Sequence, residues 1–206
     1  MPRLQISPEG VFLNLPYDEE FRTLYLAYVV GLCHLGIVPH LASEIPGGTR
    51  RLERILALIK SCRYSIHDLS RVELSSAPLA TPRFNIPLEL GMTITWTDLN
   101  PELHTWYVWE SKPYRLQRSA SDLNGTDAYL HSGTAEGVLS GLRNAFWRKD
   151  APTVPSMLKV HRFVENRVDR ILARNGTRDL FAQSVFRELC LLSTRLAELR
   201  RHRRGH

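Results

Sequence analysis

Arg63-Tyr64-Ser65-Ile66-His67-Asp68-Leu69-Ser70-Arg71, followed after a loop by Pro82-Arg83-Phe84-Asn85-Ile86-Pro87-Leu88-Glu89-Leu90-Gly91, is the stretch that decides the fold. Tyr64 to Leu69 reads as a buried strand whose C-terminal end delivers Asp68, Ser70 and Arg71 into a loop. A helix is expected to open near Asn85 and to carry Glu89 in its first turn or so. In an open parallel sheet, ligands bind outside the carboxyl ends of the strands, beside helix N-termini. A carboxylate at that place needs a reason beyond folding.

Working outward, Gly10–Leu15 is a short apolar run closed by Pro16, a first buried strand. Phe21, Leu24, Tyr25, Tyr28 and Leu32 then fall on one helical face. Asp18, Glu19 and Glu20 sit in that helix's first turn, where carboxylates suit the dipole. Gly36 ends the helix and Ile37–Leu41 returns as a strand. Pro46-Gly47-Gly48-Thr49 reads as a turn with Thr49 as N-cap, before a helix burying Leu52, Ile55, Leu56 and Ile59. Beyond the opening stretch, His104–Glu110 reads as a fourth strand and Asp127–Leu130 as a fifth, ahead of an amphipathic helix over 136–148.

Strands alternating with helices imply an α/β fold: a flavodoxin-like five-stranded parallel sheet of order 2-1-3-4-5, with helices on both faces. The α/β domain is expected over residues 1–150. After Pro152 and Pro155 the pattern turns helical. Met157, Val160, Val164, Val168 and Ile171 form one stripe; Leu189, Leu192, Leu196 and Leu199 form another. The two predict a C-terminal helical hairpin with a basic tail over 151–206, offering either cover for the sheet or a seam for a homo-oligomer.

Composition sets the outer limits. Hydrophobic residues at 43% and charged residues at 23% fit a globular protein. Cys33, Cys62 and Cys190 are far apart in sequence, which fits a reducing cytoplasm and argues against a disulfide frame or a cysteine-built metal site. The apolar run Leu24–Val38 is too short to span a bilayer, and the N-terminus lacks a signal-peptide pattern, so no membrane partner is expected. Much of the net charge of +6 sits in Arg200-Arg201-His202-Arg203-Arg204, without interleaved aromatics, which disfavours nucleic-acid binding. No phosphate-binding glycine loop is present, which disfavours an ATPase or a Rossmann dehydrogenase.

Asn85 and Glu89, four apart, are expected on one side of their helix, where the dipole would keep Glu89 ionised. An ionised carboxylate facing a cleft can attack or electrostatically support an oxocarbenium-like sugar carbon. Asp68 is the expected partner, orienting a ribose hydroxyl or moving a proton. Asn14 and Asp18 follow the first strand, where a ligand would sit, although Asp18 is also a good N-cap. Arg71 and Arg83 are phosphate clamps or surface charges, and Asn85 is a further candidate contact. His67 points to the opposite face from Asp68 and reads as a satisfied core histidine.

A strand ending in Asp68, a variable loop, and a helix with Glu89-Leu90-Gly91 resemble the nucleoside 2-deoxyribosyltransferase and nucleotide N-hydrolase superfamily, with the related Toll/interleukin-1 receptor (TIR)-like domains. The opening Phe12-Leu13-Asn14-Leu15-Pro16-Tyr17-Asp18 also resembles the first strand and loop of bacterial TIR-like proteins, several of which serve in anti-phage defence. The resemblance implies that Glu89 acts at an N-glycosidic carbon, and that NAD or a related nucleotide is the substrate, with no separate cofactor. It also implies assembly into oligomers. The transferases carry Asp-x-Gly-Thr where this chain reads Arg83-Phe84-Asn85-Ile86, and Arg83 suits a phosphate-bearing ligand. A nucleotide-binding signalling module without turnover is the alternative.

Overall fold

The computed structural model describes residues 6–42, 50–72 and 82–202, without the side chains of 201 and 202. The expected turn at Pro46–Thr49, most of the Ser75–Pro82 loop and the end of the basic tail lie outside the described residues. Among those described, the strands are β1 (Ser7–Asn14), β2 (Val38–His40), β3 (Cys62–Asp68), β4 (Thr105–Glu110) and β5 (Tyr129–Leu130). They form one parallel sheet of order β2-β1-β3-β4-β5, the flavodoxin-like order. The helices are α1 (Arg22–Leu35), α2 (Arg51–Ser61), α3 (Asn85–Leu99), α4 (Arg115–Ser119), α5 (Ala135–Ala145), α6 (Val154–Glu165), α7 (Val168–Arg174) and α8 (Gln183–His202).

By compactness the chain divides into two units, one of residues 1–16 and 40–132, the other of residues 17–39 and 133–206. In the first, α2 packs on β1 and β3, and α3 on β3 and β4. Phe12 joins Ile55, Leu58, Ile59 and Cys62 in one apolar cluster; Val108 joins Leu69, Ile86, Leu90 and Leu116 in another. Because side chains alternate along a strand, the opposite face of β3–β5 carries its own set. There Tyr64, Tyr107, Trp109 and Tyr129 meet ring to ring, with Trp109 and Tyr129 stacked at 4.5 Å. The periodicity of α2 is shifted from expectation: Leu58 is buried and Leu52 is 49% exposed.

In the second unit α1 is apolar on every side and packs against α5, α6 and α8. A Cβ on Gly31 would stand 2.7 Å from both Leu139 Cδ2 and Leu142 Cδ1, so α1 and α5 approach as closely as they do only with glycine there. Gly36, at φ 79°, ends α1, with the Ile37 N–H reaching Leu32 O at 2.9 Å. The segment after Thr153 is helical as expected. Its first stripe is divided at Asn166 and Arg167 into α6 and α7, so three helices stand where two were read, though Met157, Val160, Val164, Val168 and Ile171 are all buried. Along α8, Leu189 is fully buried whereas Leu199 is exposed, since Ser193 and Ala197 take the inward positions. Among the described residues no helix is long and apolar enough to cross a membrane.

Candidate active site

Parallel pairing brings the ends of β1, β3 and β4 level: Asn14 lies opposite His67, His67 opposite Val108, and Asp68 opposite Trp109. On the α3 side of this edge runs a closed chain of neutral hydrogen bonds. Asn14 Nδ2 reaches Ile86 O at 3.0 Å and His67 Nδ1 at 2.9 Å, spending both amide hydrogens. His67 Nδ1 must therefore accept, which leaves the proton on Nε2 to meet Ser65 Oγ at 3.0 Å. The Ser65 hydroxyl then donates to His104 Nε2 at 3.0 Å, and His104 Nδ1 donates to Cys62 O at 2.8 Å. Burial, with His104 adding to it, presses His67 down to about 3, so the ring stays uncharged. His67 is the satisfied core histidine that strand alternation predicted. Asn14 ties β1, β3 and α3 together, and with 4% exposure and no spare amide hydrogen it is poorly placed to meet a ligand.

Glu89 lies one turn into α3, which opens at Asn85 as expected. Met92 and Trp96 on the same helix pack onto the α2 cluster, and Arg51, the first residue of α2, is the charge that Glu89 senses. The side chain is 4% exposed. Among the described residues it has neither a hydrogen-bond nor an ion-pair partner. Burial pushes its carboxyl up to about 7, against a smaller opposing pull from Arg51. The helix dipole does not keep it as acidic as the sequence suggested; desolvation outweighs it. Asn85, expected on Glu89's side, is exposed.

Asp68 is on the other face. Its neighbour His67 points to α3 through Asn14, so Asp68 points away, and its Oδ2 lies 3.3 Å from His131 Nε2. Oδ1 accepts the Ser70 N–H at 2.9 Å. Beside it, Glu110 at the end of β4 is forked by Arg115, with Nη2 to Oε1 at 2.8 Å and Nε to Oε2 at 2.5 Å. Arg115 Nη2 also reaches Leu69 O at 2.8 Å, and the His131 N–H reaches Glu110 O at 3.0 Å. Burial raises the Glu110 carboxyl, Arg115 draws it back, and Asp68 adds a further upward push. The expected convergence of Asp68 and Glu89 on one hollow is therefore replaced by two separate settings. Asp68 has no exposed surface with which to meet a ribose hydroxyl.

Two residues of this second setting, Glu110 and His131, were not singled out from the sequence. Glu110 was legible as a strand-end acid with Arg115 five residues on; His131 carried no local signal. Both flanking loops are strained: Tyr114, before Arg115, has φ 61°, and Ser132, after His131, has φ 51°. A hollow of about 200 Å³ opens beside Glu110, lined by Lys112, Tyr114, Gln117 and Asp127.

Of the other expected contacts, Arg71 and Arg83 are half-buried where β3 leaves the sheet and α3 begins, and Arg83 N meets Val72 O at 3.4 Å. Asp18, in the second unit, caps the turn Glu19–Phe21 by accepting the Phe21 N–H at 3.0 Å, the capping role its position allowed. No group of His, Cys, Asp and Glu among the described residues is arranged to hold a metal ion. No protein-family model, curated protein or solved structure matches this chain.

Proposed function

We propose that the protein is a nucleotide N-glycosidase that breaks the bond between ribose and base in NAD or a related nucleotide, with Glu89 meeting the sugar carbon. One observation carries this reading: a buried carboxyl, without a hydrogen-bonding partner among the described residues, near the start of the helix that follows the central strand. Burying an acid unpaired is costly, and such groups gather at sites of chemistry. Arg71, Arg83 and the opening of α3 at Asn85 supply positive charge for the nucleotide's phosphates.

The separation of Glu89 from Asp68 bears on the substrate. Glycoside hydrolysis ordinarily takes two carboxyl groups, one to protonate the leaving group. The nicotinamide of NAD leaves differently: its ring nitrogen is already cationic, takes the electron pair of the broken bond, and departs neutral without a proton. One carboxylate, ionised to face the developing oxocarbenium ion or to bond with it, is then sufficient, and water completes the hydrolysis. A purine leaving group would need a proton donor as well, a role that Asp68, on the opposite face from Glu89, is not placed to share. Asp68 keeps the neighbouring loops in place rather than touching substrate. A cytoplasmic site of action goes with this reading, and three free cysteines support it.

Incubation of the protein with NAD, ATP and deoxynucleotides at several protein concentrations tests the reading. Nicotinamide release from NAD, reduced at least about a hundredfold in Glu89→Gln, is expected. Full activity in Glu89→Gln, or no release by folded and associated protein, overturns it. The second reading, a nucleotide-binding module that signals by assembly, is favoured by the exposure of two leucines, Leu191 and Leu199, on α8. Thermal stabilisation by a nucleotide that stays intact, with light scattering that shows association, would select it.

A further inference from the structure

Cys33 lies in α1 and Cys190 in α8, remote in sequence, yet the packing of these two helices brings their thiols into hydrogen-bonding contact. The Cys33 sulfur accepts from the Cys190 S–H and from the hydroxyl of Thr194, one turn further along α8. Cys33 is buried, Cys190 is half-exposed, and both are free thiols. We propose that Cys33 and Cys190 are a dithiol pair that a peroxide converts to an intramolecular disulfide, fastening the C-terminal helix to α1.

Three features of the site support the chemistry. Exposure gives the oxidant access to Cys190 while Cys33 waits behind it, the arrangement of a sensing thiol and a resolving thiol. In the dithiol, hydrogen bonds from Cys190, the larger effect, and from Thr194 lower the Cys33 thiol despite burial, and the Thr194 hydroxyl remains to favour the thiolate once Cys190 is oxidised. Contact between the side chains also puts the two sulfurs next to each other, the first requirement for an S–S bond of about 2 Å. Cys62, in β3, is buried and serves as the internal control.

The step balances. The Cys190 sulfur attacks one oxygen of hydrogen peroxide, the O–O bond breaks, and with the thiol proton the other oxygen leaves as water, giving the sulfenic acid. The Cys33 thiolate attacks that sulfur, the S–S bond forms, and hydroxide leaves to take up the Cys33 proton as a second water. The two sulfurs together lose two electrons and the peroxide oxygens gain them. Dithiothreitol reverses the change.

The full chain is treated with hydrogen peroxide, unfolded, alkylated, digested without reductant and weighed. Expected is a peptide joining Cys33 to Cys190, two hydrogen masses lighter than its parts, with Cys62 alone alkylated and an unchanged oligomeric state. Cys190→Ser is expected to lose the link and to leave Cys33 alkylated. Recovery of Cys190 as sulfinic acid, a link between chains, a bridge to Cys62, or three alkylated thiols after treatment would overturn the proposal. The measurement on the unmodified protein needs no variant to fold, and its outcome is independent of whether NAD is cleaved.

Discussion

Asp68 and Glu89 are both buried acids at the end of the same sheet, and they are treated in opposite ways. Asp68 is shared between His131 and the Ser70 N–H, and beside it Glu110 is forked by Arg115. Glu89 has no hydrogen-bond or ion-pair partner among the described residues, feels the charge of Arg51, and is pushed up to about 7 by burial. Removing a carboxylate from water costs several kcal/mol, and partners within hydrogen-bond reach return most of it. Burial alone therefore distinguishes nothing at this edge. The difference lies in whether each oxygen has a partner, and by that measure the β4–β5 corner is framework while Glu89 stands apart from it.

The largest effect that would break this comparison is expected at Asp68. Asp68→Ala removes the acceptor of the Ser70 N–H and the carboxylate 3.3 Å from the buried His131 Nε2, and should cost about 3–5 kcal/mol of stability. Urea denaturation checks it. A variant that melts like the parent yet no longer releases nicotinamide would return Asp68 to the chemistry.

Glu89→Gln should do the reverse, taking activity and leaving the fold. If the ionised carboxyl is the working form, kcat/KM in the parent should rise through a limb centred on about pH 7. The stability effect has a fixed sign. Between its ordinary value of 4.5 and about 7 the folded state holds a proton that the unfolded chain has lost. Stability contributed by the protonated group is thus whole below about pH 4.5, declines as pH rises toward 7, and is gone above it. Glutamine carries no such dependence. Thermal denaturation should find Glu89→Gln about 2–3 kcal/mol more stable than the parent near pH 8 and similar to it near pH 4. Equal behaviour at both pH values would place a partner on Glu89 and erase the contrast with Asp68.

What could be read from the sequence follows the range of the signals. The start of α3 at Asn85, the strand order, and the outward turn of Asp68 relative to His67 are set by local alternation and by breakers such as Pro82 and Gly36, so they were legible. The core role of His67 was legible too, because strand alternation points it to a core face. The shared corner was not. His131 meets Asp68 only through β5, a strand of two residues. Asn14 looked like a ligand contact because strand ends bind ligands, but His67 and Ile86, both remote, take its amide. The break between α6 and α7 was hidden because the apolar stripe continues through it without a change of period. Cys33 and Cys190 were judged by spacing, which says nothing about two helices that pack together.

The smallest predicted effect concerns the glycine that completes Glu89-Leu90-Gly91. Gly91 is exposed, lies inside α3 with ordinary helical geometry, and a Cβ built on it meets nothing within 4 Å. Packing gives no reason for glycine here, whereas glycine in a helix interior costs about 0.5–1 kcal/mol relative to alanine. Gly91→Ala should therefore stabilise the protein by that amount, seen as a small rise in denaturation midpoint with unchanged slope. The activity of the same variant then sharpens the comparison. If nicotinamide release is unaffected, the glutamate alone carries the motif. If release falls while stability rises, the open space above Gly91 is where a ligand approaches the helix, and the site extends from Glu89 along α3 rather than across the sheet toward Asp68.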